Sequence, residues 1–230
     1  MFKLLLHPLE AQGVDFFWND STGDNDINKL WALNHYMFLD SGRANTKRPM
    51  LLGRGSVYAP HRYPIAYGGS SEISWKALKP LPFLYLNAAN LGVSWWSHDI
   101  GGNHGGIEDG ELYLRYVQLG TFGPILRFHG ARGRYYKKEP WVWDAKTSNI
   151  AADYLRLRHR LIPYIYTEAY NYTKSGTPLI QPFYYNYMWV YDDEFVKGMI
   201  HISENQILEL YVDSFFENQG IGSKLIKFAI

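Results

Sequence analysis

The chain has 230 residues, 47% hydrophobic and 20% charged, enough to bury a sizeable core as one large or two small globular units. Its 23 Lys and Arg against 22 Asp and Glu give a formal net charge of +1, which offers no electrostatic footing for nucleic acid or for an anionic membrane surface. It has no cysteine, which excludes disulfides, thiol catalysis and cysteine-bound zinc.

No apolar run is long enough to span a bilayer. The opening Met1-Phe2-Lys3-Leu4-Leu5-Leu6 is a poor signal peptide because His7-Pro8 cuts its apolar run short, so the expected location is cytoplasmic.

In chain order, the apolar, β-prone run from Val14 to Trp18 predicts a first strand that hands Asp20 to a polar Ser-Thr-Gly-Asp loop. Asp26 to Leu39 predicts a helix with Leu30, Leu33, Met37 and Phe38 on one side. Pro49 to Leu52 and His61 to Tyr67 are further strand candidates. Ser71 to Leu78 predicts a helix, capped by Ser70 or Ser71 and stopped by Pro80. Val93 to Ser97 and Pro124 to Phe128 read as buried strands on either side of the amphipathic segment Gly110 to Leu119. Asn149 to Lys174 predicts one long helix, kinked at Pro163 and closed by Gly176. Alternating strands and helices argue for an α/β fold with a parallel sheet. In parallel barrels a strand that ends on an acid presents that carboxylate at the catalytic face.

The unusual excess is aromatic, with 8 Trp, 19 Tyr and 12 Phe. Sugar rings stack their apolar faces on aromatic planes, which suits a carbohydrate site. Large barrels also fill their interior layers with bulky residues, and for any one aromatic both readings stay open. His98 and His104 are joined by a glycine-rich, loop-like spacer and form too weak a pair to assign a metal site.

Three segments carry a resemblance to a known family. They are Gly13-Val14-Asp15-Phe16-Phe17-Trp18-Asn19-Asp20, Trp96-Ser97-His98-Asp99-Ile100-Gly101-Gly102 and Arg127-Phe128-His129-Gly130. Together they resemble glycoside hydrolase family 31, the α-glucosidase group, over about residues 7 to 199. The resemblance implies a partial (β/α)8 TIM barrel holding strands 4 to 8 of eight, with a long trailing helix. It also implies retaining hydrolysis of α-glucosidic bonds, an α-glucoside or oligosaccharide substrate, and no metal or cofactor for that chemistry. A half-barrel would leave an open sheet edge near Val14, which invites self-association or pairing with the missing barrel half.

Retaining glycosidases use two carboxyl groups about 5 to 5.5 Å apart, one as nucleophile and one as acid/base. By resemblance Asp20, in a Trp18-Asn19-Asp20 pattern, stands at the nucleophile, although the glutamate often found three residues later is Gly23 here. The segment Arg62 to Ser71 resembles the one that carries the acid/base in a Gly-Asp pair, and here that aspartate position is Ser70. A serine hydroxyl cannot protonate a leaving sugar oxygen at neutral pH. Its bland reading is a helix cap. Glu72 is a substitute acid only if the backbone shifts, because a helical side chain two positions along points to a different face. For substrate contacts, Arg62 resembles the arginine that bonds sugar hydroxyls, Asp99 the ligand-contacting acid after the penultimate strand, and His129 the histidine after the last strand. Trp18, Trp96 and Trp75 are candidate pocket walls, with Trp75 also fitting the apolar side of a short helix.

At about residue 200 the pattern changes, which divides the chain into a barrel part, residues 1–199, and a tail, residues 200–230. His201 to Asp213 alternates as a strand and is followed by Glu217-Asn218-Gln219-Gly220-Ile221-Gly222-Ser223-Lys224-Leu225-Ile226. This strand-turn-helix resembles motif A of GNAT acetyltransferases, in which backbone N–H groups near Gly220 and Gly222 would hold the pyrophosphate of acetyl-CoA. The lesser reading is a generic glycine turn into a helix. Some 30 residues are too few for an acetyltransferase fold. The alternatives for the protein are therefore a glycosidase, a catalytically silent carbohydrate-binding module, or a coenzyme A binder.

Overall fold

The computed structural model describes residues 1–20, 27–54, 59–63, 65–133, 136–182, 188–193, 195–203, 206–212, 217 and 219–229. They form two compact units, Met1–Ile180 and Gln181–Ile230. In the first unit the order is α1 (His7–Glu10), β1 (Phe17–Asn19), α2 (Ile27–Ser41), β2 (Leu51–Arg54), β3 (Ile65–Tyr67), α3 (Trp75–Leu78), α4 (Leu81–Asn90), β4 (Trp95–Ser97), α5 (Gly110–Phe122), α6 (Ala145–Arg160) and α7 (Ile162–Ser175). Strands β1 to β4 pair in parallel in sequence order, as successive β/α units dictate. The expected strand at Pro124 to Phe128 is reduced to two isolated parallel bridges, Ser97 with Ile125 and Ile100 with Phe128. This is a partial (β/α) barrel with helices on its outer face.

Register decides which side chains meet. Asn19 pairs with Gly53, Gly53 with Ala66 and Ala66 with Trp96, so these four form one row. That row faces the helices. Asn19 donates to Asn34 of α2, a Cβ on Gly53 would press on Asn34 at 3.1 Å, and Ala66 packs with Ala88 of α4, Val93 and Trp96. Side chains alternate along a strand, so the opposite row, Arg54, Tyr67 and Ser97, faces the barrel interior together with Trp18 one step below.

The helices seat the strands. In α5, Asp109 caps the N-terminus by accepting from the amides of Glu111 (2.9 Å) and Leu112 (3.3 Å). Leu112, Tyr113, Tyr116 and Val117 of α5 then pack with Ile73, Leu81, Ile100 and Ala151 as the main core. Arg158 of α6 donates to the carbonyls of Thr121, Gly123 and Pro124, which ties down the exit of α5 and the entry to the bridged segment 125–128.

Several expectations are corrected here. Neither Ser70 nor Ser71 caps a helix: residues 71–73 are extended, with the amides of Asn103 and His104 bonding to the Ser71 carbonyl and Glu72 bridging His104. The cap is Ser74, whose hydroxyl accepts from the Ala77 amide at 3.1 Å. Helix α4 was not expected. Its first turn holds Pro82, where a missing N–H costs nothing, and its nearly continuous apolar run hides the helical period. The long trailing helix is two helices, since Leu161 ends α6 and Pro163 sits in the first turn of α7. Gly176 closes α7 at a φ of 75° as expected.

In the second unit β5 (Met188–Asp193), β6 (Phe195–Ser203) and β7 (Gln206–Val212) form an antiparallel meander, followed by α8 (Ile221–Ala229). The expected boundary at residue 200 therefore falls inside β6. The β5–β6 pairing, from Met188 with His201 to Asp193 with Phe195, ties residues 188–199 to the tail rather than to the barrel. Gly220 takes a φ of 74° before α8, and Ile221 and Leu225 pack with Ile200. The expected end of the strand at Asp213 lies outside the described residues. Among the described residues no helix is long and apolar enough to cross a membrane.

Candidate active site

The C-terminal ends of the parallel strands gather the polar groups, and they do so because each strand continues its inward row by two residues. Asp20 follows Trp18 off β1, and Asp99 follows Ser97 off β4. The loop that receives Asp20, residues 21–24 with Gly23, lies outside the described residues.

Asp20 is open, its side chain 48% exposed, and it pairs with Arg54 at the end of β2, Nη1 to Oδ1 at 3.3 Å. Arg54 also lies over the Tyr67 ring, 5.7 Å from its centroid. Asp99 is the reverse case, with a side chain of 0% exposure. Its Oδ1 accepts from Arg127 Nη2 at 2.7 Å, and its Oδ2 accepts from Tyr67 Oη at 3.0 Å and Asn103 Nδ2 at 2.7 Å. A buried carboxylate needs such a set of donors to stay charged.

Arg127 is the hub. Its Nε donates to Ser97 Oγ at 3.1 Å, and its guanidinium lies 4.7 Å from the ring centroids of both Trp18 and Tyr67. Trp18 meets the His129 ring edge-on at 4.6 Å. Two buried donors of this cluster, Arg127 Nη1 and Trp18 Nε1, have no hydrogen-bond acceptor among the described residues. Burial pushes the Tyr67 hydroxyl up to about 12; the Ser70 bond works against that shift and Asp99 and Asp20 add to it. Tyr67 therefore stays protonated at neutral pH. Its one proton goes to Asp99, so in the 3.0 Å contact with Ser70 Oγ the serine donates and Tyr67 accepts.

Of the residues expected from the sequence, Trp18, Asp20, Ser70, Asp99 and His129 thus surround one mouth. Arg62 does not join them. It sits in the turn Pro60–Arg62 ahead of β3, at the N-terminal edge of the sheet, lining a groove with Met50, Val93 and Tyr170. The arginine at the mouth is Arg54, and a charged residue closing a parallel strand was the available signal. Trp96 is likewise displaced: it stands in the helix-facing row and donates from Nε1 to His98 Nε2 at 3.0 Å, while His98 meets Tyr85 of α4 edge-on. That bond also uses the His98 lone pair a metal would need. Burial, with the Arg127 charge adding, pushes His98 down to about 4. Glu72 is exposed and extended rather than helical, with its Cγ beside Gly105. Trp75 is exposed and donates to Asp109, so it walls no pocket. Among the described residues no cluster of three His, Asp or Glu could hold a metal.

Comparison with known proteins gives this arrangement its place. The chain is 33% identical over 150 residues to α-glucosidase 2 of Bacillus thermoamyloliquefaciens, which covers 65% of this chain and 18% of that protein. It is 27% identical over 209 residues to an α-xylosidase of Saccharolobus solfataricus, covering 83% of this chain and 28% of that one. Among solved structures, the Flavobacterium johnsoniae GH31 dextranase complexed with glucose superposes with a TM-score of 0.65 at 25% identity, over 76% of this chain and 25% of that chain. The Trueperella pyogenes cycloalternan-degrading enzyme, at 23% identity, shares the fold with a TM-score of 0.62, over 69% of this chain and 24% of that one. This chain thus spans less than a third of the length of these relatives. The family model for the TIM-barrel domain of glycosyl hydrolases family 31 matches residues 1–168, nearly all of the first unit, and the chain belongs to that family.

Proposed function

We propose that the first unit is the nucleophile-bearing part of a retaining α-glycosidase site that takes α-glucosides or their oligosaccharides and uses no cofactor. The observation that carries this reading is Asp20. It is the strand-end carboxylate that stays open to a ligand, and its ion pair with Arg54 orients it. Arg127 Nη1 and Trp18 Nε1, the two donors without an acceptor among the described residues, suit the oxygen atoms of a sugar. Asp99, saturated by protein donors, acts mainly by holding Arg127 and Tyr67 in place. The strands that would complete the barrel beside β1 are not among the described residues, so the working site also needs that half.

Ser70 favours a second reading. Its hydroxyl is engaged with Tyr67 and is far too weak an acid to serve a leaving group, which leaves a carbohydrate-binding module with a nucleophile but no acid/base. One experiment separates the two. The chain is joined to the preceding barrel half of a family member and treated with α-glucosyl fluoride, whose fluoride leaves with little help from an acid. A glucosyl adduct on Asp20, found by peptide mass spectrometry and absent in Asp20→Asn, supports the nucleophile. Binding of α-glucosides without any adduct leaves the binding module.

For the second unit, the acetyl-CoA reading through Gly220 and Gly222 has only its strand-turn-helix shape in favour, since the strands that would flank the pantetheine are too few. Its expected outcome is no micromolar binding in calorimetry.

A further inference from the structure

Outside the cluster around Asp20, the most unusual charge is the half-buried Lys138. Its ammonium donates to the carbonyl of Gly101 at 2.8 Å and to that of Gly102, in the turn directly after Asp99. Its stem fills the space between two loops. A Cβ on Gly101 would meet Lys138 Cδ at 3.4 Å, and a Cβ on Gly130 would meet Lys138 Cε at 2.5 Å. Gly101 and Gly102 take φ values of 91° and 72°, a conformation that aims their carbonyls at one cation and that a side chain would strain. The Lys138 backbone is fixed in turn, because Tyr113 of α5 donates to its carbonyl at 2.9 Å.

The same turn bonds to the rest of the site. The Gly102 amide donates to the Asp99 carbonyl (3.0 Å), the Asn103 amide to the Ser71 carbonyl (2.8 Å), and the Ala131 amide to the Asn103 carbonyl (2.9 Å). Asn103 also holds the Asp99 carboxylate. One lysine therefore joins the loop after β4, which carries Asp99, to the loop that follows the bridged segment 125–128 and begins at His129.

We propose that Lys138 is a positioning residue that latches these two loops, so that Asp99, Asn103 and Arg127 are held as one preformed set at the mouth of the site. The latch rests on the reading of that mouth as a sugar site only for its consequence, not for its existence. The charged group that acts on the ammonium is Asp99 from the β4 turn, while Tyr113 of α5 bonds to the Lys138 carbonyl. On its own segment are Glu139, whose carboxylate accepts from the Lys138 amide, and Lys137, which is turned away to Glu108. Burial lowers the Lys138 ammonium to about 8, with Asp99 opposing that shift. The latch should accordingly hold below that pH and loosen above it.

The test is amide hydrogen exchange on the full chain, read in residues 100–104 against α4 as an internal reference, with intrinsic rates corrected for pH. Lys138→Met keeps the stem and removes the ammonium. At about pH 7 it should lower protection of residues 100–104 by about tenfold or more while α4 is unchanged, since a half-buried charge-assisted bond is lost. Lys138→Met should also remove the pH dependence seen in the parent chain, where protection of the turn falls between about pH 7 and about pH 9.5.

Wild-type protection of the turn in Lys138→Met would overturn the latch, and so would an equal loss in α4. The pH course of the parent chain keeps the proposal testable if the variant does not fold, and a flat course would count against it. Calorimetry with an α-glucoside, using the chain joined to the closing barrel half, then separates the two claims. Weaker sugar binding in Lys138→Met supports both. No sugar binding by the parent, with the exchange result intact, removes the sugar reading and leaves the latch.

Discussion

Asp20 and Asp99 are both carboxylates delivered two residues past an inward-facing position, one off β1 and one off β4, yet they are opposite objects. Asp20 is half exposed and pairs with Arg54, whereas Asp99 is sealed from solvent and spends its oxygens on Arg127, Tyr67 and Asn103. The strand end sets where a carboxylate goes. Its neighbours decide whether it stays open to a ligand or holds others in place.

The sharpest way to test that division is to place a carboxylate at Ser70. With the barrel completed, Ser70→Asp should raise turnover of ordinary alkyl α-glucosides by about 10²–10⁴-fold, the usual yield of positioned acid/base catalysis. An unchanged rate in assays of released sugar would mean that the acid lies elsewhere or that the site only binds.

Stability should divide the two aspartates next. Asp99→Ala leaves Arg127 buried without its counter-ion and should cost about 3–5 kcal/mol in urea unfolding. Asp20→Asn, at an exposed pair, should cost no more than about 1 kcal/mol while abolishing the glucosyl adduct. Similar losses in both would erase the distinction.

A smaller, graded effect should come from His98 behind β4. Its folded pKa is depressed to about 4, so between the unfolded value near 6.5 and about 4 the unfolded chain binds the extra proton. Stability then falls as pH drops through that window, by up to roughly 3 kcal/mol. His98→Gln keeps an acceptor for Trp96 and should flatten the slope. Parallel slopes for variant and parent would locate the titrating group elsewhere.

The last comparison sets the two edges of the sheet against each other. Arg54→Met should weaken α-glucoside binding about tenfold, the worth of one charge-assisted hydrogen bond, while Arg62→Met should leave it unchanged. A loss with Arg62 and none with Arg54, measured by calorimetry, would reverse the placement of the site.

Much of this was legible locally. The run into Asp20, the acid after Trp96-Ser97-His98 and the Arg127-Phe128-His129 segment marked three strand ends, and Gly176 marked a helix end, because each signal lies within a few neighbouring residues. The misplacements share one cause. Arg62 and Arg54 are both arginines beside strands, and only the pairing of Arg54 with Tyr67 across β2 and β3 shows which of them stands at the C-terminal edge. Trp96 looked like a pocket wall because it adjoins Ser97, but alternation turns neighbours to opposite faces. Ser70 lost the role of cap to Ser74 when residues 71–73 were drawn into extended pairing with residues 103–107.

The sequence by itself determined the family and the parallel α/β class, since these follow from apolar periodicity and from short motifs that survive without their neighbours. Only the tertiary structure decided that Arg127 belongs to Asp99, that Arg54 belongs to Asp20, and that Lys138 bridges two loops. Those partners are far apart along the chain and meet through strand register and inward alternation, which no local pattern encodes.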